Sequence, residues 1–344
     1  MLLEGLYLPL TTPFSADGRL NLRKLEQNVE RYSLAPGAGL VALARTGEPS
    51  MLSDEEARHV LRGVAHSAAV EKVLVAGVSR DSVAGTLEMA EYAAGLSYDA
   101  VLVKRPGVLR GRSAKELLQY FQMIADRSAL PVALWSEPDG MLSGELVAEL
   151  SGHPGVIGIL DDGADRQRVE RLRSLTAAVK REVTVTAVFA AVTGRMRRQQ
   201  AGGEWVSAQS LSAKAGVAMV SPKMAARTRT KTVGFQILTG GVGGVLEGLR
   251  GGAVGAMAAF AACAPQACYE VLAAWKDGDE GLAEEKQRRL GEIARRIEEQ
   301  LGVPGIKYGC DLNGYYGGPA RLPLLPLTGA ERGEVEELMH GIRN

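Results

Sequence analysis

The sequence is poor in the residues that staple or metallate small folds. Its 344 residues include three cysteines, Cys263, Cys268 and Cys310, and four histidines, His59, His66, His153 and His340. Three thiols cannot build a disulfide framework, and none has zinc-ligand spacing with a histidine, so a reducing cytoplasm fits and no metal is expected. The histidines are scattered over predicted helices and turns and receive no role. Excess charge is missing as well. Forty Lys plus Arg balance forty Asp plus Glu, so no global field draws the chain to nucleic acid or to an anionic membrane. Long apolar runs are absent. The longest, Ala253 to Ala264, falls short of the roughly 18 residues of a spanning helix, and MLLEGLYLPLTTPF, interrupted by Glu4 and Pro9, reads as neither signal peptide nor membrane span. No G-x-G-x-x-G follows the first apolar run, which removes the dinucleotide fingerprint, and no cofactor is called for.

What is present is 46% apolar residues in a repeating order. Short Val, Leu and Ile runs at Gly5–Pro9, Leu40–Ala44, Val73–Val78, Ala100–Val103, Val132–Trp135 and Val156–Leu160 read as strands buried on both faces. Amphipathic spacing lies between them, as in Leu22, Leu25, Val29 and Tyr32, in Val60, Leu61 and Val64, in Leu117, Phe121 and Ile124, and in Val169, Leu172, Leu175 and Val179. Ser53 with Glu56 and Ser113 with Glu116 form capping boxes that fix two helix starts. Six such units favour an α/β fold of the closed (β/α)8 barrel type, with chemistry expected where strands end, in loops opening at Thr11, Arg45, Ser79, Arg105, Ser136 and Asp161.

The rhythm fails after Val179, because the next convincing strand is Phe235–Leu238. A long insertion between strands six and seven is expected, at about residues 190–232. From Gly194 to Thr232 it carries Arg195, Arg197, Arg198, Lys214, Lys223, Arg227, Arg229 and Lys231 against Glu204 alone, with Trp205 as an apolar anchor. It is read as a solvated excursion, or as a cover for the barrel mouth or a subunit contact. A last strand near Val254–Ala258 completes a barrel over residues 1–262. Leu282, Leu290, Ile293, Ile297 and Leu301 form an apolar stripe, and Glu331–Ile342 a terminal helix, so residues 263–344 are expected as a helical appendage.

Several segments resemble the dihydrodipicolinate synthase and N-acetylneuraminate lyase family of class I aldolases and lyases. LPLTTPFSADGRL is similar to its opening strand and turn, TGEPSMLSDEEARHVL to its G-T-T-G-E loop and following helix, and PVALWSEPDG to its fifth strand, usually ending Y-N-x-P. VLVKRP stands in the place of the fourth strand and HPGVIGILDDGAD in that of the sixth, usually G-I-K-[DE]. FQILTGGVGGVLEGLRGGAVGAM and IKYGCDLNGYYGGPARLPLLPL resemble its last strands and its R-L-P-L segment. The resemblance implies a TIM barrel, a small 2-oxo acid or related carboxylate as ligand, and a homodimer or homotetramer.

It also implies a Schiff base between a strand-six lysine and a 2-oxo acid, and here the residues depart. The lysine position is Leu160. The tyrosine ending strand five is Trp135, followed by Ser136 in place of Asn. The tyrosine pair after strand four is replaced by Gly107 and Val108, and the arginine after Y-N-x-P has no counterpart in Asp139 or Gly140. The first threonine of the G-T-T-G-E loop is Arg45, while Thr46, Gly47 and Glu48 remain. Leucine has no nucleophile, so family membership does not carry family activity with it. Arg45, with backbone N–H groups around Thr46 and Gly47, could still grip a carboxylate, or pair with Glu48. Enzymatic activity is therefore left open. One alternative is a lyase using Lys104, at the end of strand four, as a relocated amine with Glu137, Asp161 or Asp162 as proton acceptor; Lys104 could equally pair with one of those acids. Another is a structural or regulatory subunit. Glu48, Glu137, Asp161 and Asp162 fall on βα loops, but no histidine joins them as metal ligand. Thr239–Gly244, TGGVGG, reads either as a phosphate cradle or as a tight turn.

Overall fold

A computed structural model describes residues 1–163, 165–201 and 228–342. Eight parallel strands close into a barrel in the order β1-β10-β9-β6-β5-β4-β3-β2. They are β1 (Gly5–Pro9), β2 (Gly39–Ala42), β3 (Val73–Gly77), β4 (Ala100–Lys104), β5 (Val132–Ser136), β6 (Val156–Asp161), β9 (Gln236–Gly240) and β10 (Gly255–Met257), with β7 (Arg181–Thr186) and β8 (Thr228–Val233) outside the barrel as an antiparallel ribbon. The first six strands are followed by α1 (Leu22–Leu34), α2 (Asp54–Ser67), α3 (Val83–Gly95), α4 (Ala114–Arg127), α5 (Gly144–Ser151) and α6 (Arg166–Leu175). Both expected capping boxes are formed, at Ser53 and Ser113. Of the described helices, none is long and apolar enough to cross a membrane.

The pleat sorts side chains between two cores, because neighbours on a strand point to opposite faces. Val73 and Val75, Ala100 and Leu102, Ala133 and Trp135, Leu160, Leu238 and Met257 fill the barrel interior. Their neighbours Leu74, Val101, Val103, Leu134, Ile159 and Ile237 pack outward under the helices. Register sets Trp135 beside Leu160 and Leu160 beside Leu238 at the carboxyl ends of adjacent strands.

After β9 come α8 (Val245–Gly251), then α9 (Pro265–Lys276), α10 (Glu280–Ala294), a π-helical turn at Arg295–Gln300, α11 (Gly302–Leu312) and α12 (Gly329–Met339). Leu290 and Ile297 of the expected stripe are buried, whereas Leu282 is 40% exposed near the start of its helix. All three cysteines are buried free thiols.

The excursion between β6 and β9 is wider than expected. The chain leaves the barrel at Arg181 and returns at Val233, with α7 (Gly194–Ala201) between, so the excursion is wider than residues 190–232. Its described flanks lie at the amino-terminal ends of the strands, opposite the mouth. Val183 and Val185 pack on Leu2, Thr193 donates to the carbonyl of Val70 at 2.6 Å, and Lys231 pairs with Glu4. Arg195, one of the cations expected on the excursion, is 8% exposed and donates to the carbonyls of Ala68 and Lys72. A basic side chain is kept underneath the barrel because backbone carbonyls that no helix or strand uses need donors. Glu204, Trp205, Lys214, Lys223 and Arg227 lie outside the described residues.

Candidate active site at the barrel mouth

Where β2, β4, β5 and β6 end, four charged side chains and one indole meet. Asp162 follows β6, and its Oδ2 accepts the indole N–H of Trp135 at 2.8 Å and Nη2 of Arg45 at 3.0 Å. The same Arg45 nitrogen stands 3.8 Å from Glu137, and Glu137 pairs with the Lys104 ammonium at 3.1 Å. Lys104 also lies 5.2 Å from the centre of the Trp135 ring, within cation–π range. This chain of contacts divides the mouth into two cavities of about 430 Å³ each, with Trp135 in the wall of both.

The first cavity, over β3 to β5, is lined by Lys104, Arg80, Arg105 and Arg110 together with Asp54, Asp81, Glu137 and Asp139. Its charges are already matched, Arg80 with Asp54 at 2.7 Å and Arg110 with Asp139 at 3.0 Å. The second, towards β1, β9 and β10, has apolar walls at Pro9, Ala44, Met257 and Ala259, and its charged groups are Arg45, Asp162, Glu298 and Glu299.

Glu298 enters this cavity from outside the barrel repeat, on the π-helical turn after α10. Its Oε2 accepts the backbone N–H groups of Phe260 at 3.1 Å and Val242 at 3.4 Å. Burial lifts its pKa to about 7 despite those bonds, and the charge of Asp162 adds to the rise. Asp162 is lifted to about 6, again chiefly by burial, with Arg45 and the Trp135 bond opposing. The acids of the expected βα loops thus part company along the strand. Asp162 faces the mouth, whereas Asp161 points outward and pairs with Arg168 at 2.6 Å beneath α5 and α6. Among the described residues no three His, Cys, Asp or Glu side chains converge as metal ligands.

The glycine run after β9 serves close approach. A Cβ on Gly240 would collide with Asp162, and Gly241 takes φ +71°, where glycine is favoured. The N–H that follows, on Val242, is occupied by Glu298. One of the expected phosphate-cradle donors is thereby committed to the protein's own carboxylate.

Of the residues expected in a ligand site, Arg45, Thr46 and Trp135 line the second cavity, and Lys104 and Trp135 the first. Thr46 shares its hydroxyl proton between the carbonyls of Pro9 and Leu10. Gly47 lines neither cavity, and its N–H closes a tight turn onto Ala44 at 2.9 Å. Glu48 is buried, 2.5 Å from the Lys307 ammonium, and its second oxygen accepts the N–H of Arg321. It ties the barrel to α11 and the segment that follows rather than pairing with Arg45. Ser136 is also buried, its Oγ accepting from Leu142 and Arg168. Leu160 lies 1% exposed in the barrel interior beside Trp135. Glu298 was absent from the sequence expectation. Its only sequence signal is that it directly follows Ile297, the residue by which that turn faces the barrel.

A model of the dihydrodipicolinate synthetase family matches residues 2–185 and 208–342. The chain is 24% identical over 339 residues to a 4-hydroxy-tetrahydrodipicolinate synthase from Methanothrix thermoacetophila, covering 98% of this chain and 96% of the relative. Two solved structures share its fold. One is the chloride-inhibited dihydrodipicolinate synthase of Acinetobacter baumannii complexed with pyruvate, with TM-score 0.77, 22% identity and coverage of 98% of this chain and 99% of that one. The other is a prophage protein of the dihydrodipicolinic acid synthase family from E. coli K12 in complex with pyruvate, with TM-score 0.76, 21% identity and 99% coverage of both chains. With a matched model over nearly its whole barrel and its carboxyl-terminal helices, the chain belongs to the dihydrodipicolinate synthetase family.

Proposed function

We propose that this chain binds a small 2-oxo acid or related carboxylate in the barrel mouth, with Arg45 as its cationic contact, and that it does so without the family's imine chemistry. The observation that carries the reading is Leu160. It sits on the inner face of β6 between Trp135 and Leu238, at the position where the resemblance puts the imine lysine, and a hydrocarbon side chain there can neither attack a ketone nor hold an iminium. Support for carboxylate binding comes from Arg45, whose side chain is 52% exposed, lines the cavity and makes both its acidic contacts through one nitrogen. The rest of its fork can accept a second carboxylate. Lys104 is the one amine among the described residues lining the two cavities, and it is paired with Glu137 at 3.1 Å. Assembly as a homodimer or homotetramer in the cytoplasm goes with this reading on the strength of family membership.

Calorimetric titration with pyruvate tests the binding half. The wild type should bind, and Arg45→Met should weaken binding about tenfold or more, the range of a lost charge-assisted hydrogen bond. Binding should also fall as salt shortens the Debye length from about 10 to 3 Å. Equal affinity in the two proteins would remove Arg45 from the site.

A further inference from the structure

The second cavity holds more acid than a bare 2-oxo acid needs. Its only cation among the described residues is Arg45, against Asp162, Glu298 and Glu299. A ligand with a single negative charge placed on Arg45 would face the carboxyl groups of Asp162 and Glu298 without compensation. Beside side chains as buried as Asp162 and Glu298, like charges repel more strongly than in bulk water.

The route by which Glu298 arrives strengthens the point. A π turn departs from the regular α-helical bonding pattern, and such turns are rare and frequent at functional sites. Here it occurs where α10 passes the mouth, and it carries the one carboxyl group that the appendage buries there. The N–H groups of Val242 and Phe260 converge on Glu298 Oε2, so an anion-binding corner of the barrel is filled from within by an acid. That corner therefore presents negative charge, or a carboxylic acid proton, to whatever enters.

From this arrangement we propose that the cavity between Arg45, Asp162 and Glu298 takes a small α-amino acid, its carboxylate on the Arg45 guanidinium and its ammonium group between the Asp162 and Glu298 carboxylates. The proposal rests on the carboxylate-binding reading of Arg45 and names the ligand class within it. Apolar walls at Pro9, Ala44, Met257 and Ala259 suit an aliphatic side chain. The ammonium supplies the charge that lets both acids ionise; at a fixed protonation state of the two acids, the zwitterion leaves the cavity one negative charge closer to neutrality than its 2-oxo counterpart would.

Proton linkage separates the two ligand classes. Glu298, near 7, is faced by Asp162 from the end of β6, while the thiols of Cys263 and Cys268 behind it are held un-ionised by burial. Asp162 itself is faced by Arg45 and Glu137 as well as by Asp161. An ammonium entering beside the acids at pH 6.5 favours their ionised forms and releases a proton. A 2-oxo acid in the same place favours the protonated form and takes one up.

The experiment pairs alanine with pyruvate and glutamate with 2-oxoglutarate, titrated by calorimetry into wild type, Glu298→Gln and Arg45→Met at pH 6.5 in two buffers of different ionisation enthalpy. The amino acid of each pair should bind at least tenfold more tightly and release protons, and the 2-oxo acid should bind with proton uptake. Glu298→Gln should abolish the preference by weakening the binding of the amino acid of each pair. The wild-type proton count provides the test even if that variant fails to fold. A 2-oxo acid that binds as tightly as its partner, amino acid binding without proton release, or a preference that survives in a folded Glu298→Gln protein would overturn the proposal while leaving the mouth a carboxylate site. Loss of binding by every ligand would overturn both.

Discussion

Trp135 donates its indole N–H to Asp162 at 2.8 Å, and that bond joins the floor of one mouth cavity to the wall of the other. An indole can hold the carboxylate in place, but it has no hydroxyl to pass a proton through. The same side chain stands beside Leu160 in register on the adjacent strand, and both belong to the apolar cluster inside the barrel.

The two elevated acids make stability depend on pH with a definite sign. Glu298 rises from 4.5 to about 7 and Asp162 from 3.8 to about 6 on folding. A raised acid pKa contributes stability that is complete below the unfolded value and lost as pH climbs through the folded one. Wild type should therefore lose stability between pH 5 and 8 relative to Glu298→Gln, by up to about 3 kcal/mol. Thermal melts of both proteins across that range check it, and parallel pH profiles would remove Glu298 as an elevated acid.

Lys307 and Glu48 form a pair with both side chains 1% exposed, and Lys307 also donates to the carbonyl of Pro319 at 2.8 Å. Removing one partner strands a buried charge, so Lys307→Met should cost about 3–5 kcal/mol in urea unfolding, and adding Glu48→Gln should recover part of the loss. Additive losses would show that the two groups do not interact.

Arg195 secures the underside of the barrel through the carbonyls of Ala68 and Lys72. Arg195→Ala should cost about 2 kcal/mol or more, whereas Arg229→Ala, on the exposed ribbon, should stay within about 0.5 kcal/mol. Urea midpoints distinguish them, and equal effects would contradict the placement of the excursion.

The barrel was legible because its signals are local. Apolar runs at Gly5–Pro9, Val73–Val78 and Val156–Leu160 coincide with strands to within a residue, since burial on both faces needs only short β-branched and aliphatic stretches. The helix Val83–Gly95 left no clear stripe, as Thr86, Ala90 and Ala93 stand where bulky residues would pack, and Gly144–Ser151, packing by Leu146, Val147 and Leu150, is only two turns long. The position of the insertion was hidden for a different reason. Its anchors, Thr193 to Val70 and Arg195 to Ala68, join residues more than 120 positions apart, and a cation bound to backbone carbonyls looks in sequence like any surface arginine. Arg45 and Trp135 were named from motif positions and Lys104 from the end of strand four, and the structure brings all three to the barrel mouth. Glu298 was not named, because a single acid beside an apolar stripe reads as the solvent edge of a helix.

The absence of imine chemistry is tested most directly by intact-protein mass after incubation with pyruvate and borohydride. The account predicts an unchanged mass, because Leu160 offers hydride no iminium to trap and Lys104 is engaged by Glu137. A stoichiometric adduct of reduced pyruvate, on Lys104 or on any other lysine, would contradict it.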